Sequence, residues 1–205
     1  MLMGDLLAFG ISAFISVFAI MNPLSTIGLF LSLTKNETPE EKGKIAFRTS
    51  LVAFCVLVFF SITGFLVFQI YGITIEAFRI AGGIVLLILG MRMLFPPAQT
   101  GTPQYSGQIY IVPLGIPMTS GPGAITTVIV LASQATNFWM EAVLWIAVFC
   151  ACTLNYLVLK FSRGISQVLG SEGVTALIKI MGLLVCAVGV QFMINGLKVA
   201  FPLLA

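Results

Sequence analysis

Hydrophobic positions along this chain fall into six long runs, not into the short alternations of half-buried strands. The runs cover about 6–33, 46–70, 77–95, 109–134, 141–162 and 174–200. Crossing a bilayer takes about 20 apolar residues in a helix, and each run is long enough. The polar stretches between them fit that division. Thr34 to Lys44 is charged and holds Pro39, Gln69 to Glu76 is a short turn with Gly72, and Asn137 to Glu141 is brief. Pro96 to Gln108 carries three prolines and two glycines, and Arg163 to Gly173 is rich in Gly and Ser and charged. The pattern predicts an all-α membrane protein of six transmembrane helices.

Two runs contain polar interruptions built on proline. In the first run it is Asn22-Pro23-Leu24-Ser25-Thr26; in the fourth it is Pro117-Met118-Thr119-Ser120-Gly121-Pro122-Gly123. Hydrocarbon holds no water to satisfy freed backbone groups, so irregular backbone survives there only where it lines a cavity or is buried in protein. Proline suits the first residue of a helix, and Asn, Ser, Thr and Gly suit the position before it. Asn22-Pro23 and Gly121-Pro122 therefore read as fresh helix starts near the midplane. Each would expose free N–H groups and about half a positive charge, a place for an anionic group to dock. The candidate binding residues are Asn22, Pro23, Ser25, Thr26, Thr119, Ser120, Gly121, Pro122 and Gly123, with Thr126 and Thr127 as further hydroxyls. The alternative is a pair of proline kinks whose Ser and Thr hydroxyls only mend the backbone. Pro113, Pro117 and Pro122 with Gly115, Gly121 and Gly123 in one run favour a true break there.

The halves of the chain match weakly. Pro23 pairs with Pro122, Arg79-Ile80 and Gly82 with Lys179-Ile180 and Gly182, Val85 with Val185, Met93 with Met193, and Gln69 and Gly72 with Gln167 and Gly170. Three spans per half is an odd number, so tandem copies would insert in opposite directions as an inverted repeat. The expected organisation is a single integral membrane domain, 1–205, with repeat 1 over about 1–95, a linker at 96–108 and repeat 2 over about 109–205. Gly182, Gly189 and Gly196 recur every seven residues, and Gly82, Gly83 and Gly90 mark the third run. Small residues let membrane helices approach closely, so packing between these two spans is the expected use; a sliding surface is the other.

Composition agrees. Hydrophobic residues make up 59% and charged residues 8%, with mean hydropathy +1.11, where a soluble domain carries about 25% charged residues. The start, Met1-Leu2-Met3-Gly4-Asp5, lacks the basic region of a signal peptide and reads as the first span. Net charge is +3, but the cations are unevenly placed. Lys35, Lys42, Lys44, Arg48, Arg92, Lys160, Arg163 and Lys179 fall at one end of the spans, Arg79 and Lys198 at the other. Cytoplasmic loops hold the excess of Lys and Arg, so both termini are expected outside the cytoplasmic (inner) membrane. No basic cluster interleaved with aromatics suggests nucleic acid.

Catalysis and metals find little support. The chain has no His and no Gly-x-Ser-x-Gly elbow. Cys55, Cys150, Cys152 and Cys186 all lie in apolar runs, where reduced cysteines behave as small hydrophobes. No cofactor or metal is expected, and the chain is not read as an enzyme. No Asp or Glu sits clearly within a span, which leaves H⁺ or Na⁺ open as coupling ion, the latter on exposed carbonyls at the breaks. Asn155, Gln191 and Asn195 are polar positions in apolar runs, suited either to gluing helices or to facing a cavity.

Asn22-Pro23, Phe78-Arg79-Ile80-Ala81-Gly82-Gly83, Pro113-Leu114-Gly115-Ile116-Pro117, Ser120-Gly121-Pro122-Gly123-Ala124-Ile125 and Ile180-Met181-Gly182-Leu183-Leu184 resemble the MarC family of bacterial and archaeal membrane proteins over essentially the whole chain. The fourth-run motif is the most specific. The family pattern often has Gly shortly after Asn-Pro, where Leu24-Ser25 stands here. The resemblance implies a six-helix inner-membrane protein, kin to the neutral amino acid transporter SnatA and grouped with LysE-type exporters. The site residues above rest on the helix breaks, not on the resemblance. The leading expectation is a secondary transporter of small neutral amino acids or similar zwitterions. The alternatives are a structural or assembly protein and an exporter of another small solute. A solute and the lipid bilayer are the expected partners, and a homo-oligomer is compatible with a chain this short.

Overall fold

The computed structural model describes residues 3–35, 37–95 and 110–200. The linker Pro96 to Gln108 and the side chains of Ser25, Arg163 and Gln167 lie outside them. All regular structure among the described residues is helical. In order it comprises α1 (Met3–Met21), α2 (Pro23–Leu33), α3 (Pro39–Tyr71), α4 (Ile75–Leu94), a π-helical segment (Leu114–Thr119), α5 (Pro122–Gln134) and α6 (Phe138–Ala200). Five stretches among them are long and apolar enough to cross a membrane: Gly4–Met21, Pro39–Tyr71, Ile75–Leu94 and the two limbs of α6, Phe138–Ser162 and Glu172–Ala200. The fourth run is instead divided between the π-helical segment and the shorter apolar helix α5.

Two linkers are more helical than their composition suggests. Thr38 forms a capping box with Glu41: its Oγ1 accepts from the Glu41 N–H at 3.3 Å, and a Glu41 carboxylate oxygen accepts from the Thr38 N–H at 2.9 Å. With Pro39 in the first turn, the charged stretch becomes the opening of α3 and carries an exposed Glu40–Lys44 ion pair. The Gly/Ser-rich stretch Arg163 to Gly173 is likewise helical except at Gly170, where φ of 65° separates the two limbs of α6. The short turn behaves as expected. Gly72, at φ 61°, closes α3, and Thr74 caps α4 by accepting from the Ala77 N–H.

The interior has two apolar cores with a polar layer between them. One core joins Val17 and Met21 of α1, Ala53 and Leu57 of α3, Ala124 and Val128 of α5, and Ala151 and Cys152 of α6. The other joins Ile27 and Phe30 of α2, Ala46 of α3, Leu114 and Met118, and Leu159 and Met181 of α6. Between the two sets, in chain order, fall Asn22 and Thr26, Thr49 and Ser50, Thr119 and Ser120, and Asn155. All but Asn22 are buried. The outer surface is apolar, with Phe65, Ile70 and Phe161 among the most exposed side chains, as lipid contact requires.

Helix α4 and the second limb of α6 run antiparallel along a glycine seam. A Cβ on Gly83 would lie 2.5 Å from the Gly189 carbonyl oxygen, one on Gly90 2.7 Å from that of Gly182, and one on Gly196 2.9 Å from that of Glu76. The seven-residue spacing, about two turns, keeps each glycine on the seam. Met93 packs on Gly182 and Met193 on Gly83. The glycines thus serve packing, as their spacing suggested. Gly189→Leu has no space to occupy and should cost about 1–3 kcal/mol by overpacking. Thermal unfolding in detergent should show a clear drop in Tm, and an unchanged Tm would contradict the seam.

Candidate functional site

The two helix starts expected from the sequence are present and face one cavity. Pro23 opens α2 and Pro122 opens α5, preceded by Asn22 and Gly121 at the cap positions. Asn22 is the single described non-glycine residue with positive φ (45°), a conformation Asn and Gly tolerate far better than other residues. Its side chain makes no capping bond, and the residue is part of the cavity wall. The cavity measures about 390 Å³ including the open space at its mouth. Its walls come from Ile20 and Met21 of α1, Asn22, Pro117 and Met118, the α5 start at Gly121, Gly123 and Ala124, Leu86 of α4, and Val185, Val188 and Phe192 of α6.

Backbone chemistry gives this cavity its polarity. The N–H groups of Gly123 and Ala124 lie in the first turn of α5 and so have no acceptor within the helix. The preceding segment bonds in a π pattern: Gly115 N–H to Tyr110 O at 3.1 Å, Ile116 to Ile111 at 2.8 Å, and Ser120 to Gly115 at 2.9 Å. The donor to the Pro117 carbonyl in that ladder would be residue 122, but Pro122 has no N–H. The Pro117 carbonyl is thereby left without a ladder partner at the cavity wall. Donors at one point and acceptors at another, with no ionisable side chain among the lining residues, suit a small solute carrying both kinds of group. Among the described residues no cluster of His, Cys, Asp or Glu could hold a metal ion.

Four of the six hydroxyls named from the sequence bond to the backbone. Thr26 Oγ1 donates to Asn22 O at 3.4 Å, Thr119 Oγ1 to Leu114 O at 2.8 Å, Ser120 Oγ to Gly115 O at 2.9 Å and Thr126 Oγ1 to Gly123 O at 3.0 Å. None of the four lines the cavity. Of the sequence candidates, the structure brings Asn22, Gly121 and Gly123 to the cavity, seats Pro23 and Pro122 as buried helix starts behind it, and gives Thr26, Thr119 and Ser120 a repair role. Ser25 lies outside the described side chains. Pro122 also packs directly on Gly82 of α4, which fixes the α5 start against the glycine-seam pair. Sequence reasoning missed the apolar wall of Ile20, Leu86, Val185, Val188 and Phe192. Apolar residues in apolar spans carry no signal of which face they turn inward.

Asn155 sits in the polar layer beside the site. Its Nδ2 donates to Ser50 Oγ at 3.2 Å, linking α6 to α3, while Asn155 Oδ1 and Thr49 Oγ1 are buried without a partner. An orphaned buried polar atom costs more than its removal. Ser50→Ala, which strips Asn155 of its one bond, should therefore cost about 1–3 kcal/mol. Asn155→Leu, which removes the orphan with the bond, should stay within about 1 kcal/mol of the parent. Paired thermal melts in detergent read the ranking, and the reverse order would contradict it.

Apolar helices of spanning length and a lipid-like outer surface define a multi-pass α-helical membrane protein. The model of the MarC family of integral membrane proteins matches residues 7–201, and the chain belongs to that family. It is 34% identical over 200 residues to a UPF0056 membrane protein of Aquifex aeolicus, covering 92% of each chain. It is 31% identical to the UPF0056 membrane protein YvbG of Bacillus subtilis, covering 96% of this chain and 98% of that one. Identity to the UPF0056 inner membrane protein MarC of Escherichia coli is 33%, over 86% of this chain and 88% of the relative. No solved structure matches the chain.

Proposed function

We propose that this protein is a secondary transporter of small neutral amino acids or similar zwitterions across the cytoplasmic membrane. The observation that carries the reading is the cavity between the starts of α2 and α5. A carboxylate would dock on the free N–H groups of Gly123 and Ala124, where the helix dipole favours negative charge. The ammonium would be met by the Pro117 carbonyl and the Asn22 side-chain oxygen. The apolar wall leaves room for a side chain as small as that of Gly or Ala and offers a charged one no partner.

The same reading treats the chain as two inverted repeats of three spans, with the first and fourth spans broken near the midplane. Two parallels support it. The half-helices α2 and α5 are 11 and 13 residues long and both open on proline. Across the glycine seam, Met93 on Gly182 mirrors Met193 on Gly83. By cation placement the same reading has both termini outside, and the Escherichia coli relative is named an inner membrane protein. With no carboxylate at the cavity, either H⁺ or Na⁺ could drive the cycle.

A structural or assembly role is the second reading, favoured by the hydroxyls that only mend the backbone. Uptake of labelled alanine and glycine into proteoliposomes, under separate imposed H⁺ and Na⁺ gradients, separates the two. Saturable uptake driven by one gradient is the expected result. Folded protein that takes up neither solute under any gradient would leave the structural reading standing.

A further inference from the structure

The second limb of α6 carries two amides that the cavity does not account for. Gln191 and Asn195 are exposed, and Gln191 Nε2 donates to Asn195 Oδ1 at 2.7 Å. That bond leaves the Gln191 carbonyl and three amide N–H groups without a partner from within the pair. On a helix facing hydrocarbon such groups are costly, so they are expected to face water or protein. Their position on the helix is specific. At about 100° per residue, Gln191, Asn195, Val188 and Phe192 fall within one arc of about 100°, and Val188 and Phe192 line the cavity. Gln191 lies level with Phe192, and Asn195 continues that wall by just under one turn towards Lys198. The other exposed face of the limb, at Val190 and Leu197, is apolar.

We propose that Gln191 and Asn195 line a water-filled vestibule that admits small polar solutes to the cavity from the end of the molecule bearing Lys198, with Phe192 and Gln191 together at its floor. The amides would offer donors and acceptors to a neutral or zwitterionic solute as it sheds bulk water, and would hold no net charge against either of its ends. The vestibule goes beyond the transport reading and stands whether or not alanine is the solute.

The test is cysteine labelling by a membrane-impermeant maleimide in membrane vesicles containing the full chain, with the unsubstituted protein as background. Gln191→Cys and Asn195→Cys are compared with the depth-matched controls Val190→Cys and Leu197→Cys. The thiolate reacts only where water reaches it, so labelling of both amide positions at least tenfold faster than their controls is expected, with Asn195→Cys the faster of the two. Two test positions guard against one variant failing to fold. Background-level labelling at both, while Lys198→Cys on the same helix reacts, would overturn the vestibule and point to a covering protein surface. Equal rates at test and control positions would overturn it too, because the helix end would then simply stand in water.

Discussion

Gly123→Leu is expected to reduce alanine uptake to background while the protein remains folded. Any Cβ at this position meets the Phe192 ring and comes within 3.0 Å of Ile20 Cγ2. The rest of the leucine side chain then occupies the cavity itself. Strain of this kind costs about 1–3 kcal/mol, which a membrane-embedded bundle should survive, so the loss would reflect a filled site. Size-exclusion profile and Tm in detergent verify folding beside the uptake assay. Gly123→Leu protein that transports at the parental rate would place the solute elsewhere.

Asn22 allows backbone and side-chain roles to be separated. At φ 45° it occupies the left-handed region, which costs most residues about 1–2 kcal/mol. Asn22→Gly keeps that conformation and removes only the amide, so its Tm should match the parent. If the amide oxygen meets the ammonium group, the variant loses a hydrogen bond to a charged group, worth about 1.5–3 kcal/mol. That corresponds to a roughly tenfold to hundredfold weaker apparent affinity. Asn22→Val should lose both stability and affinity, since a β-branched residue is poorly suited to positive φ. Parental affinity in Asn22→Gly would show that Asn22 serves the turn alone.

Much of this architecture was legible in the chain, because bilayer and backbone impose strong rules. The apolar runs marked an all-helical chain, of which five stretches are long and apolar enough to cross a membrane, and proline after Asn22 and Gly121 marked the first residues of α2 and α5. The seven-residue glycine spacing marked the α4–α6 seam. What composition misjudged were segments whose local capping overrides polarity. Thr38 and Glu41 turn a charged linker into helix, and Gly170 confines to one residue what looked like a loop of eleven.

The site was legible only in part. Proline and glycine report on backbone, and the backbone features they signalled at Asn22, Gly121 and Gly123 do reach the cavity. Hydroxyls are ambiguous in a dry interior, because the nearest carbonyl competes with any solute. At Thr26, Thr119 and Ser120 the carbonyl wins. The free Pro117 carbonyl depends on the π register of the preceding segment, which places its missing donor at Pro122. No residue count reveals that register.

The most direct test of the central claim is equilibrium binding of labelled alanine to the purified protein, with competition by ethylamine and by alanine methyl ester. If the carboxylate docks at the start of α5, unlabelled alanine and glycine should displace the label and the two compounds lacking a carboxylate should not. Displacement by ethylamine as readily as by alanine, or no alanine binding by folded protein, would contradict a zwitterion site at the two helix starts.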